Sequence, residues 1–139
     1  MTIVVVAAVV IENARVLVTQ RMAGAHLAGM WEFPGGKVEP DEDPRDALAR
    51  ELREELGVSC EIGEVLDVAF HRYPTKSVLL LFYRATMHAN SPAPQCLGVA
   101  AIQWRTAGEL QDADFPPADV QILEKVRDSL RRESPAGDP

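Results

Sequence analysis

The chain has 139 residues, of which 47% are apolar and 25% charged, enough for one compact globular unit and too mixed for a disordered or fibrous chain. Its 14 basic against 21 acidic residues give a formal net charge of −7, which offers no diffuse attraction to a nucleic-acid polymer or an anionic membrane. An anionic substrate would need a metal ion or locally placed cations.

The apolar run from Met1 to Ile11 has no basic flank and stops at Glu12, too short for a membrane span, so it reads as a buried strand. Residues 3–11 and 15–21 are β-branched runs separated by Glu12-Asn13-Ala14, a strand pair joined by a short turn. From Met22 to Pro40 the chain carries Gly24, Gly29, Gly35, Gly36, Pro34 and Pro40, and reads as a structured loop interrupted by Trp31-Glu32-Phe33. A punctuated helix follows, with Asp43 as N-cap, Pro44 at its first position, Asp46 in its first turn and Gly57 past its end. Leu48, Leu52 and Leu56 supply the apolar stripe that seats it on a sheet.

Residues 58–71 and 77–88 read as strands turned at Tyr73-Pro74-Thr75-Lys76, with Val78 to Tyr83 as a fully buried run. After a proline-containing loop at 89–98, a short strand spans Ala101 to Trp104 and a helical turn Ala107 to Leu110. Val120, Leu123, Val126 and Leu130 then space out a second helix. The expected organisation is an α/β fold with a mixed sheet, one domain over residues 1–133 and a disordered tail over 134–139. Cys60 and Cys96 lack the spacing of a zinc or redox site and read as core thiols in a reducing cytoplasm.

On the first helix Glu51, Glu54 and Glu55 fall within an arc of roughly 100°, beside the leucine stripe. They occupy the end where the helix dipole disfavours each anion by about 0.3–1 kcal/mol. Arg50 and Arg53 offset part of this charge, Arg50 reaching Glu54 at i, i+4, but two arginines do not neutralise three glutamates. A charge run of this kind is ordinarily a solvated face. Here it directly follows Phe33-Pro34-Gly35-Gly36-Lys37, whose glycines let backbone approach a metal or a phosphate closely. Magnesium, a hard cation that takes carboxylate and carbonyl oxygens and bridges phosphates, fits that combination.

These residues carry a resemblance to the Nudix hydrolases: Gly36-x5-Glu42-x7-Arg50-Glu51-Leu52-x-Glu54-Glu55-x-Gly57-Val58 matches the family box at every defined position. The chain also resembles the MutT-type branch through Arg21, Ala25-His26, Trp31 to Lys37, Trp104 and Asp114 to Ala118. The resemblance implies a Nudix-type α/β/α sandwich around a mixed sheet. It implies that the carbonyl of Gly35 with Glu51, Glu54 and Glu55 holds magnesium, with manganese as a substitute, that Arg50 orients the glutamates, and that Glu51 or else Glu54 is the general base. Arg21 and Lys37 are candidate phosphate contacts or, equally, surface salt-bridge partners.

Phe33, Phe115 and Asp119 are the candidate nucleobase contacts. The phenylalanines have core packing as the alternative, and Asp119 has capping of the last helix. Relatives of the MutT branch carry Asn where this chain has Asp119. An ionised Asp only accepts hydrogen bonds and suits the amino group of cytosine, whereas a protonated one could serve an oxidised guanine. His26 matches a loop position of the branch, His71 and His88 match nothing, and Trp104 reads as core.

Such relatives often place a further acid before the Trp104 strand, where this chain has Gly98. The expected activity is magnesium-dependent hydrolysis of a nucleoside triphosphate to monophosphate and pyrophosphate, sanitising oxidised or modified nucleotides such as 8-oxo-dGTP. The alternatives are (d)CTP, or another nucleoside diphosphate-linked substrate. The expected partner is this small molecule, with no nucleic-acid polymer and no membrane, and the protein a cytoplasmic monomer or homodimer.

Overall fold

Strand β1 (Thr2–Glu12) carries the architecture, because its residues alternate between two cores. In the computed structural model, which describes residues 1–133, Val6, Ala8 and Val10 join one core and Ala7 and Val9 the other, all at most 5% exposed. A strand buried on both faces needs a layer on each side, and two helices provide them. Helix α1 (Pro44–Leu56) contributes Ala47, Leu48, Leu52 and Leu56 to the first core; helix α2 (Pro117–Arg132) contributes Ala118, Ile122, Leu123, Val126 and Leu130 to the second.

The other strands are β2 (Arg15–Gln20), β3 (Trp31–Glu32), β4 (Gly35–Lys37), β5 (Cys60–Arg72), β6 (Ser77–Met87) and β7 (Ala101–Arg105). The sheet runs β3-β2-β1-β6-β5, with β4 on β1 and β7 on β2. Among the described residues only β1 and β6 pair in parallel, from Thr2 opposite Ser77 to Val10 opposite Ala85, so the sheet is mixed. Single 3-10 turns at Ala107–Glu109 and Asp112–Asp114 lead into α2.

Several expectations need correction. The stretch 22–40 holds two short strands, β3 and β4, whose ladder partners lie in β2 and β1 and leave no local signal. Val78 to Tyr83 is not fully buried: Val78, Leu79 and Leu81 are half-buried, and Val78 lines an open cavity. Cys60 is buried as expected, but Cys96 is exposed in the loop before β7. Helix α2 starts at Pro117, and its buried stripe runs through Asp119, Ile122, Leu123, Val126 and Leu130 rather than Val120. Residues 134–139, read as a disordered tail, lie outside the described residues.

Candidate active site

The carboxylates are placed by α1 and by what caps it. Asp43 accepts from the Arg45 amide at 2.7 Å and starts the helix, while Gly57, at φ 71°, turns the chain left-handed and donates to the Arg53 carbonyl as the Val58 amide donates to that of Leu52. Loop amides finish the cap: Gln95 N–H donates to the Leu56 carbonyl, and those of Leu97 and Gly98 donate to the Glu55 carbonyl. These donors answer the negative end of the helix dipole just where the glutamates gather.

Strand β4 lies beside this helix. A Cβ on Gly36 would overlap the Glu51 carboxylate, and one on Gly35 would overlap the Val6 carbonyl and stand 2.8 Å from the Ala7 Cα. Both glycines are therefore demanded by close approach, Gly36 to the acid and Gly35 to the neighbouring strand. Arg50 fixes the acid from the other side. Its Nε and Nη2 donate to the two Glu42 oxygens at 2.8 and 2.9 Å, and its Nη1 donates to Glu51 at 2.9 Å and Glu54 at 3.3 Å. A further Nη2 bond, 3.2 Å to the Lys37 carbonyl, ties helix to strand. The Arg50 hydrogen bonds and the Glu39 amide hold the Glu42 carboxyl down at about 2. Glu42 thus anchors the arginine that orients Glu51 and Glu54, a role the sequence reading left unassigned.

Burial pushes Glu55 up to about 8, helped by the charges of Glu51 and Glu32, a hydrogen bond with Glu51, and the charge of Glu54. The cluster holds more negative charge than its arginine can balance. Among the described residues no three His, Cys, Asp or Glu side chains are already drawn together as an ion would require. The donor set nonetheless fits magnesium: its side chains are hard carboxylate oxygens, and a dication would offset the burial and the repulsion that raise the Glu55 carboxyl. Gly98 packs against this residue, its missing Cβ falling 3.3 Å from Glu55 Cγ, so the position where relatives often carry an acid abuts the glutamate cluster.

Next to β4 opens a cavity of about 320 Å³. Its floor is apolar, built from Val5 and Ala7 of β1 and Val78 and Leu80 of β6, and the start of α2 supplies Pro116, Ala118 and Asp119 as a wall. Gly35, Gly36 and Lys37 connect it to the carboxylate cluster. Arg21, His26, Glu32, Tyr73 and Lys76 complete its polar lining.

Of the proposed base contacts, Asp119 faces the cavity while only 6% exposed. Burial and the nearby Glu32 charge push it up to about 8, with Arg21 opposing. It caps nothing: the N-cap position falls on Pro116, and Asp119 lies inside the first turn of α2. Phe33 reaches the cavity lining, but Phe115 does not; its ring stacks on Phe33 at 5.6 Å, inside the second core. Arg21 spends its donors on Glu32, at 2.9 and 3.1 Å, and on the His26 carbonyl at 2.8 Å.

The cavity residues that sequence reasoning passed over are Glu32, Tyr73 and Lys76. Asp119 had a signal beyond the family motif, since it is the one carboxylate on the helical stripe that α2 buries.

A frame of two helices around a mixed sheet, with a glycine strand under a row of carboxylates, is matched by a family model of the NUDIX domain over residues 1–126. The chain belongs to the Nudix hydrolase family and is an enzyme of that class. Within it, the chain is 38% identical over 132 residues to the CTP pyrophosphohydrolase of Escherichia coli K12, spanning 95% of this chain and 96% of that relative. It is 32% identical over 116 residues to the 8-oxo-dGTP diphosphatase of the same organism, spanning 84% and 88%. The solution structure of the E. coli ORF135 protein superposes with a TM-score of 0.78 at 36% identity, covering 97% of this chain and 94% of that one. The MutT NUDIX hydrolase from Burkholderia pseudomallei superposes at 0.79 with 29% identity, covering 91% and 98%.

Proposed function

We propose that this enzyme hydrolyses a nucleoside triphosphate to its monophosphate and pyrophosphate with magnesium, acting on oxidised or modified nucleotides such as 8-oxo-dGTP. The observation that carries this reading is the continuity of the base-sized cavity with the glutamate cluster across Gly35 and Gly36. A nucleotide seated with its base between Asp119 and β1 would lay its phosphates along β4 toward Glu51. Glu51, Glu54 and Glu55, with the Gly35 carbonyl, would hold the cation, which when bound polarises phosphate oxygens and lowers the pKa of water.

The protein's own groups do the remainder. Glu51, held by Arg50 and only 14% exposed, takes the proton of the attacking water, with Glu54 as the second candidate. Lys37, at the junction of cavity and helix, offers its ammonium to the phosphates. Arg21 is already paired and serves the base end of the cavity.

A second reading, (d)CTP or a modified dCTP as substrate, is favoured by Asp119 and by the likeness to a CTP pyrophosphohydrolase. No helix among the described residues is long and apolar enough to cross a membrane. Incubation with 8-oxo-dGTP, dCTP and CTP plus magnesium tests both readings. Pyrophosphate release from at least one is expected, and none from all three would overturn the assignment. Glu51→Gln and Glu54→Gln should each lower turnover by about 10²-fold or more with the fold intact.

A further inference from the structure

Strand β5 ends the sheet, and its pairing with β6 is irregular between Ile62 and Asp67. Leu66 packs against the α2 core, and Asp67 reaches Gln121 and Lys125 of α2 at 3.1 and 3.4 Å, so two successive residues face the same side. This bulge brings Val65 and Val68, three positions apart, together on the opposite face, where Phe70 joins them. Their cross-strand partners Tyr83, Leu81 and Leu79 fix that side, since Tyr83 and Leu81 belong to the α1 core. Yet Val65 is 46%, Val68 48% and Phe70 53% exposed. An apolar row assembled by a bulge and left open marks a contact surface rather than scattered surface residues.

The free edge of β5 is closed to a further strand at its centre. There the Val68 N–H donates to the Asp67 carboxylate at 2.9 Å, and the Val68 carbonyl accepts from Gln121 at 3.2 Å. The face remains, and its charges have a direction. Glu64 precedes the apolar row and Arg72 follows it, with the Arg72 guanidinium 5.5 Å from the Phe70 ring centroid. Both residues are exposed, and neither forms an ion pair among the described residues. A twofold axis crossing β5 at Val68 turns the strand end for end. Each Arg72 then faces the Glu64 of the other copy, and each Phe70 the other Val65.

We propose that this face of β5 is a homodimer interface, on which a second copy of the chain docks face to face with its β5 antiparallel. Three half-exposed side chains amount to an apolar patch on the order of 300 Å² per copy, against roughly 800 Å² per partner in a stable interface. A net charge of −7 on each copy also opposes approach. The dimer is therefore weak, with a dissociation constant on the order of 10–100 µM. The cavity beside α2 opens on the other face of the sheet, so both copies keep it free and association is independent of substrate.

Sedimentation velocity of the full chain from about 5 to about 500 µM tests this. The weight-average mass should rise from near the 15.2 kDa of one chain toward twice that value across the range. Phe70→Glu should keep the monomer mass at every concentration while melting within about 3 °C of wild type. If it melts earlier, Val68→Lys, on the axis itself, replaces it with the same expectation. Arg72→Glu and Glu64→Arg should each weaken association about tenfold or more. Both changes in one chain should restore it to within about threefold of wild type, because the axis exchanges both contacts together.

A wild type that stays monomeric to the top of the range, a dimer that survives Phe70→Glu and Val68→Lys, or a double variant no tighter than the single ones would each overturn the interface. So would a monomer whose Phe70 amide resonance shifts on deletion of residues 134–139, which gives the face to the chain's own terminus. The wild-type series and the charge exchange need neither apolar variant to fold.

Discussion

Replacing Gly36 by alanine places one methyl group where the Glu51 carboxylate now lies. The obstruction is the far end of a flexible side chain, so the helix and the β1–β4 ladder can stay while Glu51 rotates away. What is lost is its 2.9 Å contact with Arg50, a partly exposed pair contributing about 1 kcal/mol at most, equivalent to roughly 3–4 °C in melting temperature. Turnover should fall far more. Displacing a catalytic carboxylate by about 1 Å costs on the order of 10²-fold.

Gly35→Ala is the control, because its methyl meets the Val6 carbonyl and the Ala7 Cα, which are backbone and cannot swing aside. That variant should lose more than about 3 kcal/mol of stability and melt at least ~10 °C lower. Thermal denaturation and initial-rate pyrophosphate release on both proteins supply the comparison. Full activity in Gly36→Ala, or a loss of fold equal to that of Gly35→Ala, would refute the placement of Glu51 over the glycine strand.

Glu42→Gln should reduce turnover about 10-fold or more by releasing Arg50, as measured by steady-state rates at saturating substrate. Since the Glu42 carboxyl is held down at about 2, its stabilising effect is present above the unfolded value near 4.3 and lost as pH falls toward 2. The variant's acid unfolding curve should be shallower in that window. For Glu55 the sign reverses. A carboxyl raised to about 8 favours the folded state most below pH ~4.3, so the metal-free protein in chelator should lose melting temperature as pH rises from 4.3 to 8, and Glu55→Gln should remove part of that slope. Added magnesium should raise the melting temperature at pH 8 more in wild type than in Glu55→Gln. Phe115→Leu should lower the melting temperature while leaving the preference among 8-oxo-dGTP, dCTP and CTP unchanged, because Phe115 packs behind Phe33 and outside the cavity.

Helix α1 was legible almost residue by residue because its signals are local: an N-cap, a proline, a leucine stripe and a terminal glycine act within a few positions of one another. The glutamate face followed from the same periodicity, whereas the glycines before it, read as a loop open to a metal or phosphate, lie in β4 against Glu51 and the β1 backbone. Strands β3 and β4 were not legible, since two- and three-residue strands exist only through partners far along the chain. Glu32 was missed for a related reason: its burial comes from that pairing and from Arg21, eleven positions earlier. The half-buried start of β6 shows the opposite failure, in which an apolar run read as fully buried lines an open cavity at Val78 and Leu80.

The parallel pairing of β1 with β6 has a kinetic consequence. Thr2 meets Ser77 at a sequence separation of 75, and β4 docks on the strand that this pairing braces. Contacts closed over so long a loop form late and slow folding relative to local ones. During synthesis the glutamate helix has its N-cap and Gly57 as soon as residue 57 emerges, but the loop amides that finish its cap and the surface it needs for work wait until β6 and residue 98 have left the ribosome. An early nascent chain therefore carries its acidic helix without the ability to use it.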